Sequence, residues 1–120
     1  MKNILVIEDN EDNMDLIEAF LEDDYELTCT FNGKEGISSI KNQKPDLVLC
    51  DISMPIMDGE ETIKIIRDEM NLSNLPVIAL TAHAMKGDRE KYIQMGFSDY
   101  ISKPIDDDEL VEKLNNFLGD

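Results

Sequence analysis

The stretch Asp46-Leu47-Val48-Leu49-Cys50-Asp51-Ile52-Ser53-Met54-Pro55-Ile56-Met57-Asp58-Gly59 sets the frame for the whole chain. A short apolar run that breaks into a loop bearing Pro55 and Gly59 reads as a strand buried on both faces, and it delivers Asp51 to its end. In open parallel sheets chemistry gathers at the carboxyl ends of strands, so Asp51 is the first candidate for a functional residue. An acid in that position also serves as a plain turn cap, and this stretch alone leaves both uses open.

Working outward, Ile4-Leu5-Val6-Ile7 is a second continuous apolar run, ending in Glu8-Asp9, and Val77-Ile78-Ala79-Leu80 is a third, ending in Thr81. Tyr25 to Phe31 alternates only partly and fits a sheet edge. Phe97 to Ser102 is a short fifth strand that leads to Lys103-Pro104. Between the strands lie helical patterns. Asn10 to Asp24 carries Met14, Ile17, Phe20 and Leu21 on one stripe, and Glu60 to Met70 carries Ile63, Ile66 and Met70, with Asp58 as its cap. Lys34 to Gln43 places Ile37 and Ile40 inward after a turn at Asn32-Gly33. Ala84 to Met95 is helical in tendency but poorly striped, with Gly96 placed to cap its end. Asp106 to Leu118 puts Leu110, Leu114, Phe117 and Leu118 on one face.

Five strands alternating with five helices predict a doubly wound parallel α/β sheet with right-handed crossovers. The expected fold is flavodoxin-like, (βα)5, with strand order 2-1-3-4-5 and a crevice between the first and third strands. Glu8, Asp9 and Asp51 then meet at that crevice. With 120 residues and no linker or repeat, the chain is expected to form a single domain over residues 1–120.

Composition narrows the function. A formal net charge of -16 repels a phosphate backbone, and the 11 basic residues are scattered, so direct nucleic-acid binding is not expected. No apolar run approaches membrane-span length, and the strand pattern starts at Asn3 without room for a leader, which points to the cytoplasm and away from membranes. Cys29 and Cys50 lack metal or redox spacing and read as small buried hydrophobes; on strands separated by one other, their backbones would lie about 9 to 10 Å apart, beyond disulfide reach. His83 cannot build a metal cluster alone.

Three crowded carboxylates repel one another unless a cation is present, and an all-oxygen donor set suits Mg²⁺. Lys103 adds one positive charge, leaving two negatives for one divalent ion to balance. Asp51 then has the setting of a nucleophile toward phosphorus, with Thr81 able to donate to a phosphoryl oxygen.

Glu8-Asp9, Asp51 followed by Met54 to Gly59, Thr81-Ala82 and Lys103-Pro104 together resemble the response-regulator receiver domains of two-component signalling, over the whole chain. The segment Thr81 to Asp88 further resembles receivers of stand-alone regulators and hybrid kinases. The resemblance implies that Asp51 accepts a phosphoryl group from a phosphohistidine on a sensor histidine kinase or a histidine phosphotransfer protein. It implies Asp9 and Asp51 as Mg²⁺ ligands, Glu8 as the acid holding the ion through water, and the Ser53 backbone carbonyl as a further ligand. Thr81 and Tyr100 match the switch pair and Lys103 the phosphate-binding lysine, with a cis peptide before Pro104. The side chains of Ser53 and His83 match positions that tune the phosphoryl lifetime.

For output, the fourth and fifth helices with the fifth strand form the expected signalling face, with Met85, Lys86, Arg89, Tyr92, Tyr100 and Ile101 on or near it. The expected partners are a kinase or phosphotransfer protein and a downstream protein target, and the expected state a monomer or weak dimer. The family's members are phospho-acceptors that dephosphorylate themselves slowly, not turnover enzymes. Because the chain begins at Met1 and stops two residues after the last helix, a stand-alone regulator of the phosphorelay or chemotaxis type is expected. The alternative is a receiver cut from a larger regulator or hybrid kinase. A small Mg²⁺-dependent phosphatase would want a second acid where Ser53 stands, and a flavin carrier would want a phosphate-cradling loop where Glu8-Asp9 stands.

Overall fold

In the computed structural model, which describes residues 1–82 and 88–119, five parallel strands form one sheet in the order β2-β1-β3-β4-β5. The strands are β1 (Asn3–Ile7), β2 (Glu26–Thr30), β3 (Leu47–Asp51), β4 (Val77–Thr81) and β5 (Asp99–Ser102). The described helices are α1 (Glu11–Leu21), α2 (Gly33–Asn42), α3 (Gly59–Lys64), α4 (Asp88–Met95) and α5 (Asp107–Leu118). This is the flavodoxin-like topology expected, with β1 and β3 side by side in the register Ile7↔Cys50.

Strand alternation sorts the core into two layers. Ile4, Val6, Leu47, Leu49, Ile78, Leu80 and Ile101 face α1 and α5, meeting Met14, Ile17, Leu110 and Leu114. Leu5, Ile7, Val48, Cys50, Val77 and Ala79 face the other way, onto Ile37 and Ile40 of α2, Ile63 of α3 and Tyr92 of α4. Every residue of β3 and β4 is buried, as continuous apolar runs covered on both faces require.

Helix starts follow capping chemistry. Asn10, Asn32, Asp58 and Asp106 each accept a hydrogen bond from the backbone N–H three residues on. Asn32 therefore caps α2 rather than only turning the chain. After Lys64 the third helix widens into a π-helical turn, Ile65–Glu69, which its apolar spacing did not foretell. There Arg67 donates to the carbonyls of Gly96 and Leu75 at 2.8 and 2.7 Å and to that of Leu72, tying the end of this helix to the loops before β4 and β5.

Several expectations need correction. Phe117 is 38% exposed, so the buried face of α5 is carried by Leu110 and Leu114. Ile101 is fully buried against α1 and α5 and takes no part in an exposed signalling face. Tyr92, placed on that face as well, is 3% exposed and lies within the core. The fifth strand begins at Asp99; Phe97 packs edge-on against Tyr92 instead, with centroids 6.3 Å apart. Cys29 is only half-buried and donates to Glu18 at 3.3 Å, whereas Cys50 is fully buried in the opposite layer. Burial first, then the Glu18 hydrogen bond and charge, push the Cys29 thiol up to about 12. The fourth helix is expected from Ala84; that expectation, with those on His83, Met85 and Lys86, lies outside the described residues, within which α4 runs from Asp88.

Candidate functional site

The carboxyl ends of four strands converge. Glu8 follows β1 and its backbone N–H donates to the Thr30 carbonyl at 3.0 Å, extending the β1–β2 ladder by one residue and holding the acid over the sheet end. Asp51 is the last residue of β3, and the N–H after it donates to the Leu80 carbonyl at 3.1 Å. Glu8, Asp9 and Asp51 bring carboxylate oxygens within 4.8 Å of one another. Glu8 is 0% and Asp51 3% exposed, and Asp9 is open to solvent.

Lys103 closes the group from the end of β5. Its Nζ lies 2.9 Å from Glu8 Oε1 and 3.2 Å from Asp51 Oδ1. Its backbone N–H donates to the Thr81 carbonyl at 2.7 Å, and the peptide bond to Pro104 is cis. Burial alone would lower the Lys103 ammonium, but the close carboxylates of Glu8 and Asp51 outweigh it and hold the group above its ordinary value. Burial, followed by hydrogen bonding with Glu8 and Asp9 and the Glu8 charge, pushes the Asp51 carboxyl up to about 8. One lysine cannot relieve three acids.

The donor set fits a hard divalent cation. It is all oxygen, it sets three carboxyl groups against one lysine, and the buried Glu8 Oε1 makes no aligned hydrogen bond even with Lys103 beside it. Glu8 Oε2 is oriented by the Asn10 N–H at 3.0 Å, so the cap of α1 also steadies the acid pair.

Ser53 is exposed in the loop, and its N–H donates to Asp51 Oδ1 at 3.3 Å. That loop is shaped by Ile56, with φ 72°, and by Gly59, whose N–H donates to the Ile52 carbonyl. A Cβ on Gly59 would stand 2.6 Å from the Asp51 carbonyl oxygen, so only glycine lets α3 start this close to the acid. Thr81, 2% exposed at the end of β4, lies 2.9 Å through Oγ1 from the Tyr92 hydroxyl. Tyr100 is half-buried on β5, its ring 5.8 Å from that of Tyr92 and 5.0 Å from Lys113 Nζ.

Of the residues singled out in the sequence, Glu8, Asp9, Asp51 and Lys103 fall into one group, with the Ser53 N–H on Asp51 and Thr81 joined to Lys103 through its backbone carbonyl, while Tyr100 packs on Tyr92. Tyr92 and Asn10 were missed as neighbours of this group. The Asn10 contact was legible in principle, because the cap of a helix that follows an acid pair is always near it; the Tyr92 contact depends on how α4 rotates.

Comparison with known proteins agrees with this geometry. The pattern of the response regulator receiver domain family matches residues 4–115. The chain belongs to that family. This receiver is 42% identical to the polar-differentiation response regulator DivK of Brucella anthropi over 120 residues, covering 99% of this chain and 98% of DivK. It also resembles the receiver domain of a sensor histidine kinase from Pseudomonas aeruginosa PAO1, with TM-score 0.89, 38% identity and coverage of 99% and 98%; that structure has a magnesium ion coordinated in its active site cleft. A third likeness is to the receiver of the Saccharomyces cerevisiae response regulator Ssk1, solved with the histidine phosphotransfer protein Ypd1. The TM-score is 0.88 and the identity 27%, covering 97% of this chain and 88% of that one. Receivers are signalling regulators rather than conventional enzymes. Among the described residues no helix is long and apolar enough to cross a membrane.

Proposed function

We propose that this receiver is a stand-alone cytoplasmic response regulator that takes a phosphoryl group on Asp51. The donor is a phosphohistidine on a sensor histidine kinase or a histidine phosphotransfer protein, the kind of partner seen with the yeast receiver. The observation that carries the reading is the buried Asp51 carboxylate at the end of a central strand, grouped with Glu8 and Asp9 and ion-paired to Lys103.

In this reading an Asp51 carboxylate oxygen attacks phosphorus, the P–N bond breaks, and the imidazole nitrogen leaves with the bonding pair. Glu8, Asp9, Asp51 and the Ser53 carbonyl would hold Mg²⁺, which when bound would offset the charge of the acids and of the phosphoryl oxygens. Lys103 pairs with a phosphoryl oxygen and Thr81 donates to another, while Tyr100 turns inward and alters the face of α4, β5 and α5 that a downstream protein reads. Ser53 and His83 adjust how fast the acyl phosphate hydrolyses.

Acetyl phosphate with Mg²⁺ tests the reading. A phosphoryl mass increment is expected on the wild type, absent with Asp51→Asn and abolished by a chelator; an increment that survives Asp51→Asn contradicts it. The alternative of a receiver belonging to a hybrid kinase is supported by the likeness to the P. aeruginosa domain. The 42% identity to DivK supports the stand-alone form.

A further inference from the structure

We propose that Tyr92 is a positioning residue for Thr81: its phenol latches the Thr81 hydroxyl on the α4 side of the sheet and so limits how readily this receiver adopts its phosphorylated conformation. The inference rests on the reading above, in which Thr81 serves a phosphoryl group on Asp51.

Strand alternation sets the geometry. Val77 and Ala79 face α2, α3 and α4, and Thr81 continues their parity; Leu47 and Leu49 face α1 and α5, and Asp51 continues theirs. The Thr81 hydroxyl is accordingly engaged on one side of the sheet, 2.9 Å from the Tyr92 hydroxyl, while its proposed client grows from a residue that projects toward the other. To reach a phosphoryl oxygen, Thr81 must give up Tyr92.

Tyr92 is well built to hold it. Its ring is packed edge-on to Phe97 at 6.3 Å and tilted on Tyr100 at 5.8 Å, so the phenol has little freedom to follow Thr81. Among the described residues of α4 it is the buried one; Met95 packs on the same core from a half-buried position, and most of the remaining residues are exposed. The bond therefore joins the phosphoryl-sensing hydroxyl to the principal anchor of the helix. Drawing Thr81 away loosens that anchor, and α4 with the Tyr100 ring beside it is then freer to rearrange. A bond present only in the resting state shifts the population toward that state by its net strength, about two- to tenfold for one neutral hydrogen bond.

The test is the apparent affinity of the Mg²⁺-loaded protein for beryllofluoride, a phosphoryl mimic that binds a carboxylate, measured for wild type, Tyr92→Phe, Thr81→Ala and Thr81→Ser. Tyr92→Phe keeps the ring and its packing while removing the hydroxyl, and it should bind about two- to tenfold more tightly. In the Thr81→Ala background the same substitution should have no effect, and in Thr81→Ser, which restores a hydroxyl, the gain should return. Unchanged affinity in Tyr92→Phe overturns the latch. So does a gain that persists without the Thr81 hydroxyl, which would mean general loosening of α4. Binding that is unaffected by Asp51→Ala would instead overturn the receiver reading itself.

Discussion

Lys103 Nζ stands 2.9 Å from Oε1 of Glu8, a carboxylate with no exposed surface. Asp51 shares the same ammonium at 3.2 Å, so a single cation from β5 holds together acids delivered by β1 and β3. Lys103→Met should therefore destabilise the metal-free protein by about 3 kcal/mol, the low end for breaking a buried pair, because Lys103 keeps some solvent contact. Mg²⁺ should restore part of the loss. Urea unfolding with and without Mg²⁺ measures both; a variant as stable as wild type without the ion would show that the acids are not in conflict.

The acid cluster also predicts an unusual pH response. Between the ordinary 3.8 and about 8, folded Asp51 retains a proton that the unfolded chain has released. The folded state binds more protons across that window, so this group makes the metal-free protein less stable as pH rises through it. Asp51→Asn should flatten the dependence and raise the melting temperature at pH 8. Saturating Mg²⁺, which competes with the proton, should flatten it too, and Mg²⁺ affinity should climb over the same range. Thermal melts at pH 5 and pH 8 are sufficient, and an Asp51→Asn protein with the wild-type slope would refute the assignment.

Ile56 sits at φ 72° with 76% of its surface exposed, a backbone conformation that a β-branched residue reaches only with strain. Ile56→Gly relieves that strain and loses almost no burial, so a gain of about 1 kcal/mol is expected after the entropy of glycine is subtracted. A loss of stability in denaturant titrations would mean that the side chain packs more than its exposure implies.

On α5, Leu114 is fully buried and Phe117 is 38% exposed. Truncating Leu114 to Ala should cost about 2 to 5 kcal/mol, and truncating Phe117 to Ala less than about 1 kcal/mol. Comparable losses for the two would place Phe117 back in the core.

What the chain determined by itself is the layered sheet and the residues at its upper edge. Three four-residue apolar runs, each ending in a polar residue, can be satisfied only by central parallel strands, and topology then carries Glu8, Asp51, Thr81 and Lys103 to one end. Helix starts were legible because a cap is a local interaction within four residues, as Asp58 and Asp106 illustrate. Tertiary structure decided the rest. The rotation of α4, which has hardly any apolar stripe to announce its buried face, turns Tyr92 into the core and onto Thr81. The widening of the third helix accompanies the reach of Arg67 to carbonyls of two loops, up to 29 residues away. The state of Asp51 is likewise set by burial and by neighbours from other strands, because a carboxyl's charge answers to the dielectric and the fields around it, which no local stretch of sequence contains.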